Sequence, residues 1–191
     1  MEGNADNVGG WGVSRGRITA WAAVVALILL VPLIAMQFTE EVNWDLFDFA
    51  FMGTLLFGSA CTYELVARKM SNVAYRAAVG IAVGTAVLLV WINGAVGIIG
   101  DGPVNLMYLG VIAVGLIGAL IAHFRPRGMS RALFATALAQ ALVPVIALII
   151  WKSQISWEPG MSGVFGLNAF FVMLFIGSAL LFQRAARKAT S

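Results

Sequence analysis

The amino-acid sequence predicts an all-α protein built as a six-helix transmembrane bundle. Of its 191 residues, 61% are hydrophobic and only 11% are charged, whereas about a quarter of the residues in a soluble domain carry charge. The apolar residues fall into six runs, each near the roughly 20 residues that a helix needs to cross a bilayer. These runs lack the alternation of barrel strands, and a helix pairs its backbone groups within its own segment.

Two segments are expected from the distribution of these runs. Residues 1–16 are rich in polar residues and glycine and should form a mobile cytoplasmic tail. Residues 17–191 form the six-span domain, with helices predicted at about 18–37, 46–67, 77–99, 104–123, 131–151 and 162–183. The first run follows two arginines, as in a signal peptide, but Pro32 and the lack of an Ala-x-Ala site before Gln37 favour a retained helix.

The basic residues predict how the chain is threaded. All but Lys152 of the 12 Lys and Arg residues lie before the first run, after the sixth, or in the two loops that follow the second and fourth runs. The positive-inside rule then places both termini in the cytoplasm, and a bacterial inner membrane is the expected location. The net charge of +3 therefore reflects topology, and no nucleic-acid partner is expected.

The sequence offers little for catalysis. One cysteine, Cys61, and one histidine, His123, cannot supply a disulfide, a cysteine metal site or paired-histidine haem ligation within one chain. There is also no phosphate-binding glycine loop, zinc-protease motif or nucleophile elbow. The prediction is a protein that is not an enzyme, with no catalytic residues, no metal and no cofactor.

Three helical hairpins of similar sequence are a possible internal repeat. The segments 17–71 and 76–130 both end in Met-Ser, while Gly58-Ser59-Ala60 and Gly177-Ser178-Ala179 each precede an Arg-Lys pair. Duplication is one explanation. The other is that helices ending in the cytoplasm gain basic residues, and that small residues are common where membrane helices pack.

Five glycines are candidates for close helix packing. Small residues let membrane helices approach each other where the hydrophobic effect gives no driving force. The packing is expected within the bundle, with a contact to another membrane protein or to a second copy as the alternative; the remaining partner is the lipid bilayer. The glycines are Gly58, Gly80, Gly84, Gly115 and Gly118.

Four polar residues form a candidate polar pocket near the outer surface. Asp48, Asn93, Asn105 and Asn168 each lie one to two turns from that surface on different helices. If they converge, they form a site suited to a cation or a small polar solute. The alternative is a layer of ordinary helix caps, with Asp45 capping the second helix. The segment from Trp91 to Asn105 forms the outer turn of the middle hairpin.

Glu64 and Gln140 are weaker candidates, for a proton relay. Glu64 stands four residues before Arg68, a spacing that favours an ion pair on one helix face. Gln140 lies nearer the middle of the fifth run, where an amide more often bonds a neighbouring helix than a substrate.

Several segments resemble a family of small bacterial multi-pass membrane proteins that has no assigned activity. They are Trp44-Asp45-Leu46-Phe47-Asp48-Phe49, Tyr63-Glu64-Leu65, Ala74-Tyr75-Arg76-Ala77-Ala78, the stretch from Trp91 to Tyr108, and Ala135-Thr136-Ala137-Leu138-Ala139-Gln140-Ala141. The resemblance implies a bacterial membrane and nothing finer. The three-hairpin plan is also similar to acid-resistance membrane proteins, in architecture alone.

Two functions follow as hypotheses. The first is a non-catalytic accessory, assembly or stress-response component that acts through helix contacts, because small-residue faces are present and catalytic groups are not. The second is a small-solute or cation transporter that uses the outer polar residues.

Overall fold

The part of the chain that the structure describes forms six α-helices, as the apolar runs predict. The computed structural model describes residues 15–68, 71–99, 103–151 and 160–188. All six helices are long and apolar enough to cross a membrane, the fourth together with the 3₁₀ turn Pro103–Leu106 that precedes it. They are α1 (Arg15–Ala35), α2 (Leu46–Ala67), α3 (Val73–Val96), α4 (Met107–Ile121), α5 (Pro126–Trp151) and α6 (Met161–Lys188). The predicted tail, up to residue 14, lies outside the described residues, as do Asp101, Gly102, Lys152 and Glu158 of the predicted outer loops.

Besides α1, which begins at Arg15 rather than at 18, three helices extend beyond their predicted limits because of local signals at their ends. α3 begins at Val73 rather than at 77, because the Asn72 side chain accepts a hydrogen bond from the Ala74 N–H at 2.9 Å. α5 begins at Pro126 rather than at 131, since proline at the first helical position needs no N–H partner. α6 continues to Lys188 instead of 183, and its last turn carries basic residues that suit a helix C-terminus.

The chain divides into two compact units, Met1–Glu64 and Leu65–Ser191. In the first unit, α1 and α2 pair in antiparallel fashion. Arg17 contacts Glu64 near the start of α1, whereas Leu29 lies 3.4 Å from the Cβ position of Gly53, further along α1. Residues later in α1 thus contact residues earlier in α2, which is the order expected of an antiparallel hairpin.

In the second unit, α6 is the central helix. It packs against α5 on one side and α3 on another, and α4 packs against α5. Its buried residues recur alternately four and three positions apart, which gives one continuous buried seam. The seam consists of Val164, Asn168, Phe171, Phe175, Ser178, Phe182 and Ala185.

Tyr75 joins the start of α3 to both α6 and the α4–α5 turn. Its ring meets Phe182 edge to face at a centroid distance of 5.2 Å. Its hydroxyl donates to the Phe124 carbonyl at 2.8 Å. Phe124 and His123 both adopt positive φ, 58° and 49°, so the chain reverses sharply before α5. One buried side chain thereby holds a strained turn against two helices.

Candidate functional site

Asp48 takes part in a reciprocal cap at the start of α2. The Asp48 N–H donates to the Asp45 side chain at 2.9 Å, and the Asp45 N–H donates to the Asp48 side chain at 3.0 Å. This arrangement satisfies two backbone donors that a helix start leaves unpaired. Asp48 therefore has a structural role in the first unit, and its convergence with the three predicted asparagines stays a prediction.

Glu64 forms an ion pair with Arg17 across the α1–α2 hairpin. Its side chain is largely buried, and it is the only buried acidic residue in the described ranges. Beside this pair, the rings of Trp21 and Tyr63 meet edge to face at 6.3 Å. The paired carboxylate links α1 to α2, and the proton-relay role stays a prediction. The predicted pairing with Arg68 stays a prediction.

Asn93 and Asn105 come together at the turn that follows α3. The Asn93 side-chain amide donates to the Asn105 carbonyl at 3.2 Å. The Asn105 side-chain oxygen accepts from the N–H groups of Ile98 and Ile99, both at 3.1 Å. Gly97 ends α3 with a positive φ of 64°, which an L-residue rarely adopts. Asn105 thus satisfies two backbone donors of the loop that follows α3.

Asn168 is the centre of a second polar cluster, which joins α4, α5 and α6. Its side-chain oxygen accepts from the Tyr108 hydroxyl at 3.1 Å and from the Gln140 amide at 2.9 Å. Its own amide donates to the Val164 carbonyl at 2.8 Å. All three side chains are at most 2% exposed. Polar side chains that bond across helices in this way hold membrane bundles together.

The two clusters meet α4 within one turn of each other. Asn105 lies in the 3₁₀ turn before α4, and Tyr108 lies three residues later. The hydrogen bonds thus link the candidate pocket residues as an Asn93–Asn105 pair and as an Asn168 cluster that includes Gln140, and a shared pocket stays a prediction. In the described part of the chain, Asn93 Oδ1 and Gln140 Oε1 are buried and have no hydrogen-bond partner.

The packing glycines have different surroundings. A Cβ at Gly118 would lie 2.7 Å from the Ala132 Cβ of α5, and one at Gly115 would lie 3.2 Å from the Thr136 hydroxyl. Both glycines therefore permit close approach of α4 to α5. By contrast, no atom lies within 4 Å of a Cβ built at Gly58 or Gly84. Gly80 lies one turn before Gly84 on α3.

Two buried polar residues of the second unit, Tyr108 and Ser178, are not among the predicted site residues. Tyr108 lies near the start of α4, and tyrosine near a helix end is common at membrane interfaces, so its residue type alone does not indicate burial. Ser178 was noted only as part of a motif, although its hydroxyl donates to the Ala78 carbonyl of α3 at 2.7 Å. The alternating spacing of four and three residues along α6 could have placed both Asn168 and Ser178 on its buried seam.

Within the described ranges, no group of three or more His, Cys, Asp and Glu side chains is placed to hold a metal ion. The chain matches no protein-family model, no curated protein and no solved structure.

Proposed function

We propose that this multi-pass membrane protein is a non-catalytic accessory or assembly component that acts through contacts between helices in the bilayer. The bacterial inner membrane, with both termini in the cytoplasm, is part of this proposal and rests on the distribution of Lys and Arg. The resemblance to a family without an assigned activity brings no chemistry to it.

The observation that carries the proposal is a stripe along α3. Gly84, Leu88 and Trp91 are exposed and follow one another at intervals of four and three residues, so they share one helix face. No atom lies within 4 Å of the Cβ position of Gly84. A glycine flanked by large apolar side chains on one face favours close approach of another membrane helix.

The polar groups favour the same conclusion, because they are used for internal packing. Asn168 joins Tyr108 and Gln140, and Glu64 is paired with Arg17. Intramembrane polar residues that serve transport face a cavity or a pathway. Here their hydrogen bonds link helices of the same chain.

Site-specific photo-crosslinking in native membranes tests the proposal. A diazirine side chain of leucine size at Leu88 should capture another polypeptide, because Leu88 is exposed on the α3 stripe. The matched control is the neighbouring Leu89, which is fully buried and faces the unit's own core. Cross-links from Leu88 that reach only lipid, or only its own chain, would contradict the proposal.

A second function, transport of a small solute or cation, is favoured by one specific observation. The side-chain oxygens of Asn93 and Gln140 are buried without partners among the described residues, and a buried acceptor left unpaired costs about 1–3 kcal/mol. A cation or polar solute would satisfy such oxygens. Asn93 belongs to the candidate pocket, and Gln140 belongs to the candidate proton relay.

A thermal-shift survey of the purified protein with cations and small metabolites tests this second function. A ligand at about 100 times its dissociation constant adds about 2.7 kcal/mol to stability. The shift should vanish in Asn93→Ala and Gln140→Leu. It should persist in Thr136→Val, because the Thr136 hydroxyl bonds only the Ala132 carbonyl of its own helix in the contacts that the structure gives. A ligand shift that survives both Asn93→Ala and Gln140→Leu would exclude these oxygens as the site.

A further inference from the structure

A basic cleft lies between the start of α5 and the end of α6. Its volume is about 280 Å³, close to the lower end of the roughly 300–1,000 Å³ range of ligand pockets. Two helix faces form it, since the lining residues on each helix are three and four positions apart. These residues are Arg127, Ser130 and Arg131 of α5, and Gln183, Ala186 and Arg187 of α6.

The charges around the cleft have one sign. Three arginines line it, and the described residues that line it include no acidic side chain. Arg127 also lies in the first turn of α5, where the helix dipole is positive and a cation is unfavourable. An anion in the cleft would interact favourably with the positive charge of these arginines and with the positive end of the α5 dipole.

Ser130 provides an observation that is independent of charge. It is 2% exposed, it lines the cleft, and its hydroxyl has no hydrogen-bond partner among the described residues. A buried hydroxyl is usually paired, because leaving it unpaired costs free energy. A hydroxyl beside guanidinium groups supplies the further donor that a phosphate oxygen accepts.

We propose that this cleft binds the phosphate group of a molecule whose net charge is negative. Arginine presents paired N–H donors that match the geometry of phosphate oxygens, and Ser130 and Gln183 add neutral donors. The cleft lies where two membrane helices end, so the phosphate belongs either to an anionic lipid headgroup or to a soluble anion. The site does not depend on whether the chain acts through helix contacts or carries a solute.

Two binding measurements separate these sources. The full chain in a neutral maltoside detergent is titrated calorimetrically with inorganic phosphate. In parallel, native mass spectrometry counts lipids retained from mixed micelles of phosphatidylglycerol and phosphatidylcholine. Retention of phosphatidylglycerol over phosphatidylcholine without phosphate binding assigns a lipid headgroup. Saturable phosphate binding without lipid retention assigns a soluble anion. If both kinds of binding are observed, the phosphate site is supported. If neither is observed, the proposal is overturned.

The double variant Arg127→Gln/Arg131→Gln removes two cleft charges. Its matched control is Arg76→Gln/Arg125→Gln, which removes two exposed charges that do not line the cleft. Hydrogen bonds to charged groups correspond to about a 10- to 100-fold change in affinity each. The cleft variant should lose binding by at least 10-fold while the control keeps it. Equal binding by the two variants overturns the proposal.

Ser130→Ala distinguishes a ligand site from a purely structural residue. Removing an unpaired hydroxyl should leave the unfolding midpoint of the ligand-free protein unchanged or slightly higher. Affinity for the phosphate-bearing probe should fall about 10-fold or more, because one hydrogen bond to a charged phosphate is lost. A lower midpoint with unchanged affinity would assign Ser130 to packing and overturn its place in the site.

Discussion

Asn168 shows how one polar residue organises a membrane core. Its amide lies on the buried seam of α6 and uses its oxygen twice, for Tyr108 and for Gln140. In lipid each of these donors would otherwise be buried without water, so the three side chains specify which faces of α4, α5 and α6 meet. The polar cluster therefore helps to determine which helix faces pack together.

Replacing Asn168 should lower the free energy of unfolding more than replacing one of its two partners. Asn168→Ala leaves the Tyr108 hydroxyl and the Gln140 amide without their shared acceptor, and we expect a loss of at least about 2 kcal/mol of unfolding free energy. Tyr108→Phe removes a single hydrogen bond, which averages about 0.6 kcal/mol in membrane proteins. Unfolding in mixed micelles, followed by circular dichroism, measures both. Equal losses would show that Asn168 does not act as the shared acceptor.

At the scale of helices, close contact between α4 and α5 depends on Gly118. The 2.7 Å separation between its Cβ position and Ala132 leaves no room for a methyl group, and the next nearest atom is backbone. Gly118→Ala should therefore push the helices apart and cost about 1–3 kcal/mol.

Gly110 is the control for this prediction because it lies on the same helix with no atom within 4 Å of its Cβ position. Gly110→Ala should be neutral or should stabilise the protein by up to about 1 kcal/mol, the helix-propensity difference. The same unfolding titration compares the two variants. Destabilisation by Gly110→Ala equal to that by Gly118→Ala would argue against a specific α4–α5 contact.

The two copies of the Gly-Ser-Ala motif differ in what they do. The Ser178 hydroxyl bonds the backbone of α3, whereas the Ser59 hydroxyl donates to Leu55 one turn earlier in its own helix, at 2.6 Å. Shared sequence therefore does not give shared contacts. Within the second unit, α3 also packs far more against α6 than against α4, the other half of its predicted hairpin. Duplication of the hairpins stays a prediction.

At the scale of the whole molecule, the threading across the membrane is open to a direct test. In a Cys61→Ala background, a cysteine at Glu41 should react with a membrane-impermeant thiol reagent added to intact cells, because the positive-inside rule places this loop outside. A cysteine at Arg127 should react only after the membrane is permeabilised. Both positions are exposed, so local burial does not prevent labelling. Labelling in the opposite pattern would invert the topology.

The sequence by itself determined the number, type and approximate position of the helices. Run length and hydropathy are local properties, and lipid allows few other ways to pair the backbone. The Asp45 cap at the start of α2 was also foreseen, because an N-cap depends on a few neighbouring residues. Helix ends were less predictable, since Asn72 and Pro126 act within one turn and compete with the hydropathy signal.

Only the tertiary structure decided which polar groups meet. The sequence left open whether Asn168 meets Asn93 and Asn105, and the structure gives Tyr108 and Gln140 as its side-chain partners. The arginines around Ser130 appeared in the sequence as separate topology signals, and the packing of α5 on α6 brings three of them into one cleft. Helix rotation and neighbour choice depend on contacts between residues far apart in the chain, and no local pattern encodes them.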